Sequence, residues 1–217
     1  MLTLLKKEFT LDLRRKSIIL GIGLYLLSTT FICYLTFTLK GNVMSPLTWS
    51  ALYWIIVMFS GVNSVAKSFI GERKGVDIYL YSVADPHDII LSKLIYNTLL
   101  CSVMSFICFG LFALFFENPV IDITTFIAVI LLGSFGFSGA FTMLSGIASR
   151  SGNSNVVMAV LSFPVIISTL LLVIKITKNC IDGLDPSLSY NDLLSLAAID
   201  ALLAAMSYLM FPFVWRS

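Results

Sequence analysis

The only histidine of the chain, His87, lies within the longest polar interval of the sequence, between residues 67 and 93. Four carboxylates share this interval: Glu72, Asp77, Asp85 and Asp88. A histidine among carboxylates is a candidate metal ligand or proton relay. Because His87 comes just after a proline in a polar loop, we interpret it instead as a solvated loop residue.

Motifs for nucleotide binding and hydrolysis are absent from the sequence. It contains no G-x-x-x-x-G-K-[ST] loop, no HExxH motif and no glycine-flanked nucleophilic serine. A membrane enzyme would need paired acids, bases or metal ligands at the depth of the bilayer. Only Asp200 lies there, with Lys67 and Lys175 near the ends of apolar runs. We therefore predict a chain with no catalytic residue, no metal site and no directly bound cofactor, which is not an enzyme.

The composition indicates that lipid solvates much of the chain. Of 217 residues, 58% are hydrophobic and 12% charged, and the mean hydropathy is +0.96. A soluble domain carries about 25% charged residues, and so short a chain cannot bury this much apolar surface. The net charge of +2 is too small for a nucleic-acid-binding protein. The four cysteines form no CxxC pair and are interpreted as small buried residues: Cys33, Cys101, Cys108 and Cys180.

Six apolar runs are long enough to cross a bilayer. They cover about residues 17–39, 48–66, 89–116, 121–148, 156–175 and 191–214. The first run is too long for the apolar region of a signal peptide, so we interpret it as a permanent span. The predicted fold is an all-α polytopic membrane protein with one transmembrane domain over residues 1–217.

A stripe of apolar residues precedes the first span. Leu2, Leu5, Phe9 and Leu13 recur at helical spacing among basic residues. This pattern predicts an amphipathic helix over residues 1–16 that lies on the membrane surface, near anionic headgroups.

Lysines and arginines are distributed unevenly between the two sides of the predicted topology. All 14 except Lys40, Lys175 and Lys178 fall on the side of the N-terminus. Because short cytoplasmic loops are enriched in these residues, both termini and residues 67–88 are predicted to be cytoplasmic.

Residues 67–88 combine charges with an apolar period that is typical of an amphipathic helix. The apolar residues of this period are Val65, Phe69, Val76, Leu80 and Val83. Asp85 and Pro86 favour the start of a new helix, with Asp88 in its first turn. We interpret residues 67–88 as a cytoplasmic coupling segment, on which a soluble partner acts.

Asp200 lies about eight residues into the last span, which places it roughly 12 Å deep. An unpaired charge at this depth is costly. We expect Asp200 either to contact a polar group of a neighbouring helix or subunit, or to be a neutral buried acid.

Several other residues suggest how the spans pack. Gly133, Gly136 and Gly139 predict close helix packing, within the subunit in preference to a subunit–subunit contact. Pro164 predicts a kink in the fifth span. Aromatic side chains favour the headgroup level and are interpreted as interface anchors: Trp49, Tyr53, Trp54 and Trp215.

A surface helix, six spans and a charged cytoplasmic segment between spans 2 and 3 resemble the type-2 family of ABC exporter membrane subunits. The residues that sharpen the match are Phe69-Ile-Gly-Glu72-Arg73-Lys74-Gly75, Tyr79-Leu80-Tyr81-Ser82-Val83-Ala84-Asp85-Pro86 and Ile89-Ile90-Leu91-Ser92-Lys93. This run is similar to the haem exporter protein B family, the permease-like subunit of bacterial system I cytochrome c maturation. The sharp motif covers residues 69–93, while length, span count and segment position agree over nearly the whole chain. The family often has Leu-Leu-x-x-Pro where this chain has Tyr81-Ser-Val-Ala-Asp85-Pro86, which leaves the geometry of this turn open.

The resemblance implies a homodimer in the bacterial inner membrane, seated on a cytoplasmic ABC ATPase. It also implies three further partners: a haem-handling membrane subunit, a small single-span subunit and an outer-face haem chaperone. ATP and haem are then handled by partner subunits, and hydrolysis helps to release the haem-loaded chaperone. The residues here argue against a haem site, because haem iron needs axial ligands and the only histidine is on the cytoplasmic side.

The coupling segment would sit in a groove of the ATPase, with apolar anchors for affinity and charges for register and partner choice. The residues assigned to this coupling are Phe69, Glu72, Arg73, Gly75, Val76, Asp77, Tyr79 and Leu80.

Three alternatives remain open at this point. The chain could be the permease of a drug, lipid or polysaccharide exporter with the same fold. It could be an ion-coupled secondary carrier, for which one buried aspartate is thin support. It could also be a scaffold that transports nothing and relays the motion of an ATPase.

Overall fold

The chain folds into seven α-helices and one short 3₁₀-helix over the residues that the structure, a computed structural model, describes. The described residues are 2–14, 16–40, 44–65, 85–116, 118–149 and 154–216. The helices are α1 (Leu2–Arg14), α2 (Lys16–Lys40), α3 (Pro46–Val65), α4 (Pro86–Phe116), α5 (Ile123–Ser149), α6 (Ser154–Asp182), the 3₁₀-helix Pro186–Ser189 and α7 (Tyr190–Arg216). The last six α-helices are each long and apolar enough to cross a membrane. The prediction of an all-α polytopic membrane protein is therefore confirmed.

Local signals in the sequence set the helix ends. At the start of α3, the Ser45 hydroxyl accepts a hydrogen bond from the Thr48 amide at 3.2 Å, as an N-cap does. At the end of α6, Gly183 adopts a φ of 64°, and the Leu184 amide donates to the Asn179 carbonyl at 3.2 Å. This left-handed glycine closes α6 in the manner of a Schellman motif. The helix therefore continues to Asp182, beyond the predicted end of the fifth span at residue 175.

Helix α5 occupies the centre of the bundle. It contacts α3, α4, α6 and α7, and its buried side chains run along most of its length. Helix α2 contacts α3 and α4, and large apolar side chains such as Leu20, Leu24 and Leu39 are exposed on it. α2 thus presents most of its surface to lipid or to another protein.

Aromatic residues of α3 lie in the core of the bundle. Trp49 is 2% exposed and Tyr53 and Trp54 are fully buried. The Trp49 ring stacks on Tyr53 with centroids 5.4 Å apart and meets Phe112 edge-on at 5.3 Å. The Trp54 indole donates a hydrogen bond to the Thr177 hydroxyl at 2.8 Å. These rings therefore face the interior of the bundle, and their predicted position at the headgroup level stays a prediction.

Two further predictions concern α6 and the coupling segment. Helix α6 runs through Pro164 as one continuous element. The coupling segment, residues 67–88, lies outside the described residues except for its last four. All eight residues assigned to ATPase coupling are among those not described, so that assignment stays a prediction.

Candidate functional site

The described part of the coupling segment is its junction with α4. The Asp85 carbonyl accepts hydrogen bonds from the amides of Asp88 at 3.0 Å and Ile89 at 3.2 Å. Pro86 is the first residue of α4, and Asp88 lies in its first turn, where a carboxylate opposes the positive end of the helix dipole. The predicted helix start is confirmed. The last four residues of the coupling segment are therefore Asp85 and the first three residues of α4.

Lys93 ties the beginning of α4 to the surface helix. Its side chain is 1% exposed, and its ammonium nitrogen lies 3.4 Å from the Glu8 carboxylate, whose side chain is 12% exposed. Lys7 approaches the same carboxylate oxygen at 3.5 Å. A lysine buried in a span must be matched by polar groups, and Glu8 supplies a negative charge from α1.

An aromatic contact reinforces this ion pair. The Phe9 ring meets the Tyr96 ring edge-on, with centroids 5.0 Å apart. Lys93 and Tyr96 are three residues apart and share one face of α4, where they meet the adjacent residues Glu8 and Phe9 of α1. Helix α1 is thus held against α4 by one charged and one apolar contact.

His87 links the beginning of α4 to the end of the bundle's last helix. Its side chain is exposed, but it belongs to the first turn of α4 rather than to a loop, which corrects the prediction. Its ring lies 4.5 Å from the Tyr208 ring, at an interplanar angle of 32°. The contact places the N-terminal end of α4, α1 and the C-terminal part of α7 at one end of the bundle, which we call the base.

Above the base, a ladder of polar side chains joins α4 to α5. The Asn97 amide donates to the Thr142 hydroxyl at 2.8 Å, and Thr98 hydrogen-bonds Ser138. Two turns further along, the hydroxyls of Ser105 and Ser134 lie 3.2 Å apart. These groups are buried or partly buried, where a hydrogen bond to a neighbouring helix satisfies a group that lipid cannot. The ladder makes α4 and α5 one connected unit.

The three glycines of α5 that predict close helix packing, Gly133, Gly136 and Gly139, face other helices of the same chain. A Cβ atom on Gly133 would approach the Trp54 ring to 2.9 Å, and one on Gly139 would be 3.8 Å from the backbone nitrogen of Ala204. At Gly136 the neighbour is Asp200, whose carboxylate lies directly over the glycine. The glycines therefore give space to two neighbouring helices: to α3 at Gly133, and to α7 at Gly136 and Gly139.

Asp200 is buried, with 1% of its surface exposed, and neither carboxylate oxygen has a hydrogen-bond partner among the described residues. The predicted contact of Asp200 with a polar group of a neighbouring helix or subunit stays a prediction, and so does the alternative of a neutral buried acid.

At the opposite end of the bundle, the α4–α5 connection rests on α6. The amides of Ile121 and Asp122 both donate to the Cys180 carbonyl, at 3.1 and 3.2 Å. The Asp122 carboxylate accepts from the Thr125 amide at 3.1 Å and caps α5. The side-chain hydrogen bond with Thr125 holds the pKa of the Asp122 carboxyl below its ordinary value. Lys175 pairs with Asp192 at 2.8 Å, which joins α6 to α7.

The contact of Glu8 with Lys93 was missed in the sequence, although a signal for it exists. Glu8 is the only acidic residue in the first eleven and directly precedes Phe9, a member of the apolar stripe. An acidic residue next to the apolar stripe of an otherwise basic helix indicates that the surface on which this stripe packs carries a cation.

The described residues contain no group of three or more His, Cys, Asp or Glu side chains that could hold a metal ion. All four cysteines are free thiols, and they lie on α2, α4 and α6. The groups that the base does offer are an ion pair, aromatic rings and the first turn of α4. Such groups can hold and move helices against one another.

Comparison with known proteins gives one match. A family model described as CcmB protein matches residues 1–213. No curated protein and no solved structure matches the chain.

Proposed function

The chain belongs to the CcmB family, the haem exporter protein B family, and from this membership we propose that it is the subunit which couples a partner ATPase to the haem-delivery machinery. Members of this family are permease-type integral proteins of the inner membrane and components of the ABC system for haem export and cytochrome c maturation. In our proposal this chain hydrolyses nothing itself. It receives motion from the ATPase at residues 67–88 and passes it to the membrane partners, which deliver haem or release the haem-loaded chaperone.

The contacts that α4 makes directly after the coupling segment in the chain support this proposal most directly. Helix α4 starts at Pro86 and carries, within its first three turns, the contacts with α1 and α7. The polar ladder then joins α4 to α5. A push on residues 67–88 would therefore move a connected unit of helices rather than a single one.

The proposed arrangement in the membrane follows from the charge distribution. The base faces the cytoplasm with both termini, and the α4–α5 connection, the 3₁₀-helix and the start of α7 face outward. We propose a homodimer, with the haem-handling subunit, the small single-span subunit and the outer-face chaperone as further partners.

Purification from native membranes in mild detergent tests the proposal. A P-loop ATPase and a haem-handling membrane subunit should remain bound. A complex without any ATPase would refute coupling, and an ATPase without a haem-handling subunit would favour a general exporter.

A photo-crosslinker adds positional information. Placed at Tyr79, it should capture the ATPase in living cells, because Tyr79 belongs to the coupling segment. Placed at Leu188 in the 3₁₀-helix, which is 62% exposed at the opposite end of the bundle, it should not. Equal capture at both positions, or none at Tyr79, would contradict the proposed docking.

A further inference from the structure

Asp200 and Gly136 form a site inside the bundle that the coupling role does not use. A Cβ atom built on Gly136 would overlap one carboxylate oxygen of Asp200 and would lie 2.8 Å from its carboxyl carbon. The carboxyl group therefore occupies the space that the missing side chain leaves. The third wall is Thr169 of α6, whose methyl carbon would be 3.1 Å from the same Cβ position. Three helices, α5, α6 and α7, thus enclose one carboxyl group.

This site lies near the middle of the membrane. Asp200 is ten residues beyond the first residue of α7, or about 15 Å along the helix axis, roughly half of the hydrocarbon thickness of about 30 Å. Its side chain is 1% exposed and Thr169 is fully buried. Neither lipid nor water reaches the carboxyl group.

No cation among the described residues compensates a charge on Asp200. Helix α5 contains no ionisable residue. On α6 the two lysines lie toward its far end, where Lys175 pairs with Asp192 and Lys178 with Asp182. On α4, Lys93 faces Glu8 and His87 faces Tyr208. Neither carboxylate oxygen has a hydrogen-bond donor in the described part of the chain.

A proton is the ligand that fits this geometry. Hard metal cations take about six oxygen ligands or more, whereas Gly136 has no side chain and Thr169 has a single hydroxyl oxygen, buried without a hydrogen-bond partner among the described residues. An uncompensated carboxylate away from water and lipid headgroups is costly, and protonation removes that cost.

We propose that Asp200 is a proton-binding site, held as a neutral carboxylic acid in the notch of Gly136 between α5, α6 and α7. Loss of the proton places a bare negative charge against Gly136 and the Thr169 methyl group. The charged form then favours separation of α7 from α5, so the packing of these helices weakens as the site ionises.

Infrared spectroscopy of the purified complex in lipid nanodiscs tests the proposal. The wild type should show the carbonyl band of a protonated carboxylic acid at neutral pH, and aspartate labelled with ¹³C at its side-chain carboxyl should shift it. D200N should lack the band. The matched variant D192N should keep it, because Asp192 is an ion-paired aspartate of the same helix.

The outcomes separate the possibilities. A band that is absent from the wild type, or that persists in D200N, overturns the proposal. Displacement of the band by sodium or potassium chloride at constant pH also overturns it, because the site would then bind a metal cation. If D200N does not fold, the labelled wild type still decides. Exposed aspartates ionise well below neutral pH. A carbonyl band of a protonated aspartic acid that is present at neutral pH therefore belongs to a buried acid.

Discussion

Lys93 of α4 and Glu8 of α1 form an ion pair, 3.4 Å between nitrogen and oxygen, at the place where the coupling segment enters the membrane. The pair joins two elements that the chain separates by the first two spans. Lys93 follows the start of α4 by two turns, so α1 is attached to the helix that comes directly after residues 67–88 in the chain. In the proposed coupling, α1 would therefore move with α4 in addition to anchoring the chain at the membrane surface.

Replacing Glu8 with Gln should loosen α1. The change keeps the shape of the side chain and removes the charge opposite the buried ammonium group, which should cost about 1–3 kcal/mol. Trypsin should then cleave at Lys6 and Lys7 faster than in the wild type. Asp182→Asn is the matched control, because the pair of Asp182 with Lys178 is exposed and worth only about 0.3–0.5 kcal/mol. Equal cleavage rates in the two variants would contradict the role given to Glu8.

Replacing Gly133 with Ala should destabilise the bundle. The new methyl group would lie 2.9 Å from the Trp54 ring and 3.0 Å from Val173, both of which are fully buried. Overpacking of this kind costs about 1–3 kcal/mol, and thermal unfolding in detergent measures it. Gly110→Ala is the control, since nothing lies within 4 Å of its Cβ position. The stability of that variant should be unchanged or rise by up to about 1 kcal/mol from helix propensity. A loss of stability equal to that of Gly133→Ala would contradict the overpacking assigned to Gly133.

Gly136→Ala and Asp200→Ala should be strongly coupled. Alanine at position 136 overlaps the Asp200 carboxylate, and truncation of Asp200 removes the group that it meets. The double variant should therefore be more stable than the sum of the two single effects implies, by about 0.5–3 kcal/mol. A double-mutant cycle on thermal unfolding measures this coupling, and additivity would show that the two residues do not share one space.

How far the sequence predicts this molecule depends on whether the signal lies along a helix or around it. Runs of apolar residues gave the six spans, and Asp85 with Pro86 gave the start of α4, because helix length and capping are local. Rotation about the helix axis is decided by the neighbours. Trp49 and Trp54 therefore turned out to be core residues, and α5 became central, although its hydropathy resembles that of the other spans.

The candidate site was less predictable for the same reason. Lys93 was visible as the basic residue that opens span 3, but its partner is 85 positions away in the sequence and on another helix. Asp200 was recognised by depth alone. That it faces Gly136 depends on the packing of three helices, which no pattern within α7 encodes.

Asp122 should make the cap of α5 sensitive to acid. Hydrogen bonds with Thr125 lower its pKa in the folded protein, so the unfolded chain takes up the proton first as pH falls. The stabilisation is therefore complete above the pKa of the unfolded state, about 3.9, and is lost as pH falls through the pKa of the folded state.

Asp122→Asn keeps an acceptor oxygen without titrating, so it should remove this part of the acid sensitivity. Asp122→Ala should cost about 0.5–2 kcal/mol at neutral pH. Unfolding curves at neutral and acidic pH compare the three proteins, and an unchanged acid response in Asp122→Asn would contradict the assignment.

Reversing charge in the coupling segment should weaken binding of the ATPase while leaving the membrane subunit intact. Glu72 and Arg73 are proposed to fix the register of the segment in its partner, and like charges across an interface are repulsive. Glu72→Lys or Arg73→Glu should therefore reduce the amount of ATPase that co-purifies, at unchanged levels of the variant in the membrane. Glu117→Lys serves as the control, because residue 117 belongs to the connection predicted on the outer side and should leave the amount of ATPase as it was. A charge change in the partner ATPase that restores binding to Glu72→Lys would place the two side chains opposite each other. Normal co-purification of both reversed variants would mean that the ATPase docks elsewhere on the base, with α1 as the next surface to mutate.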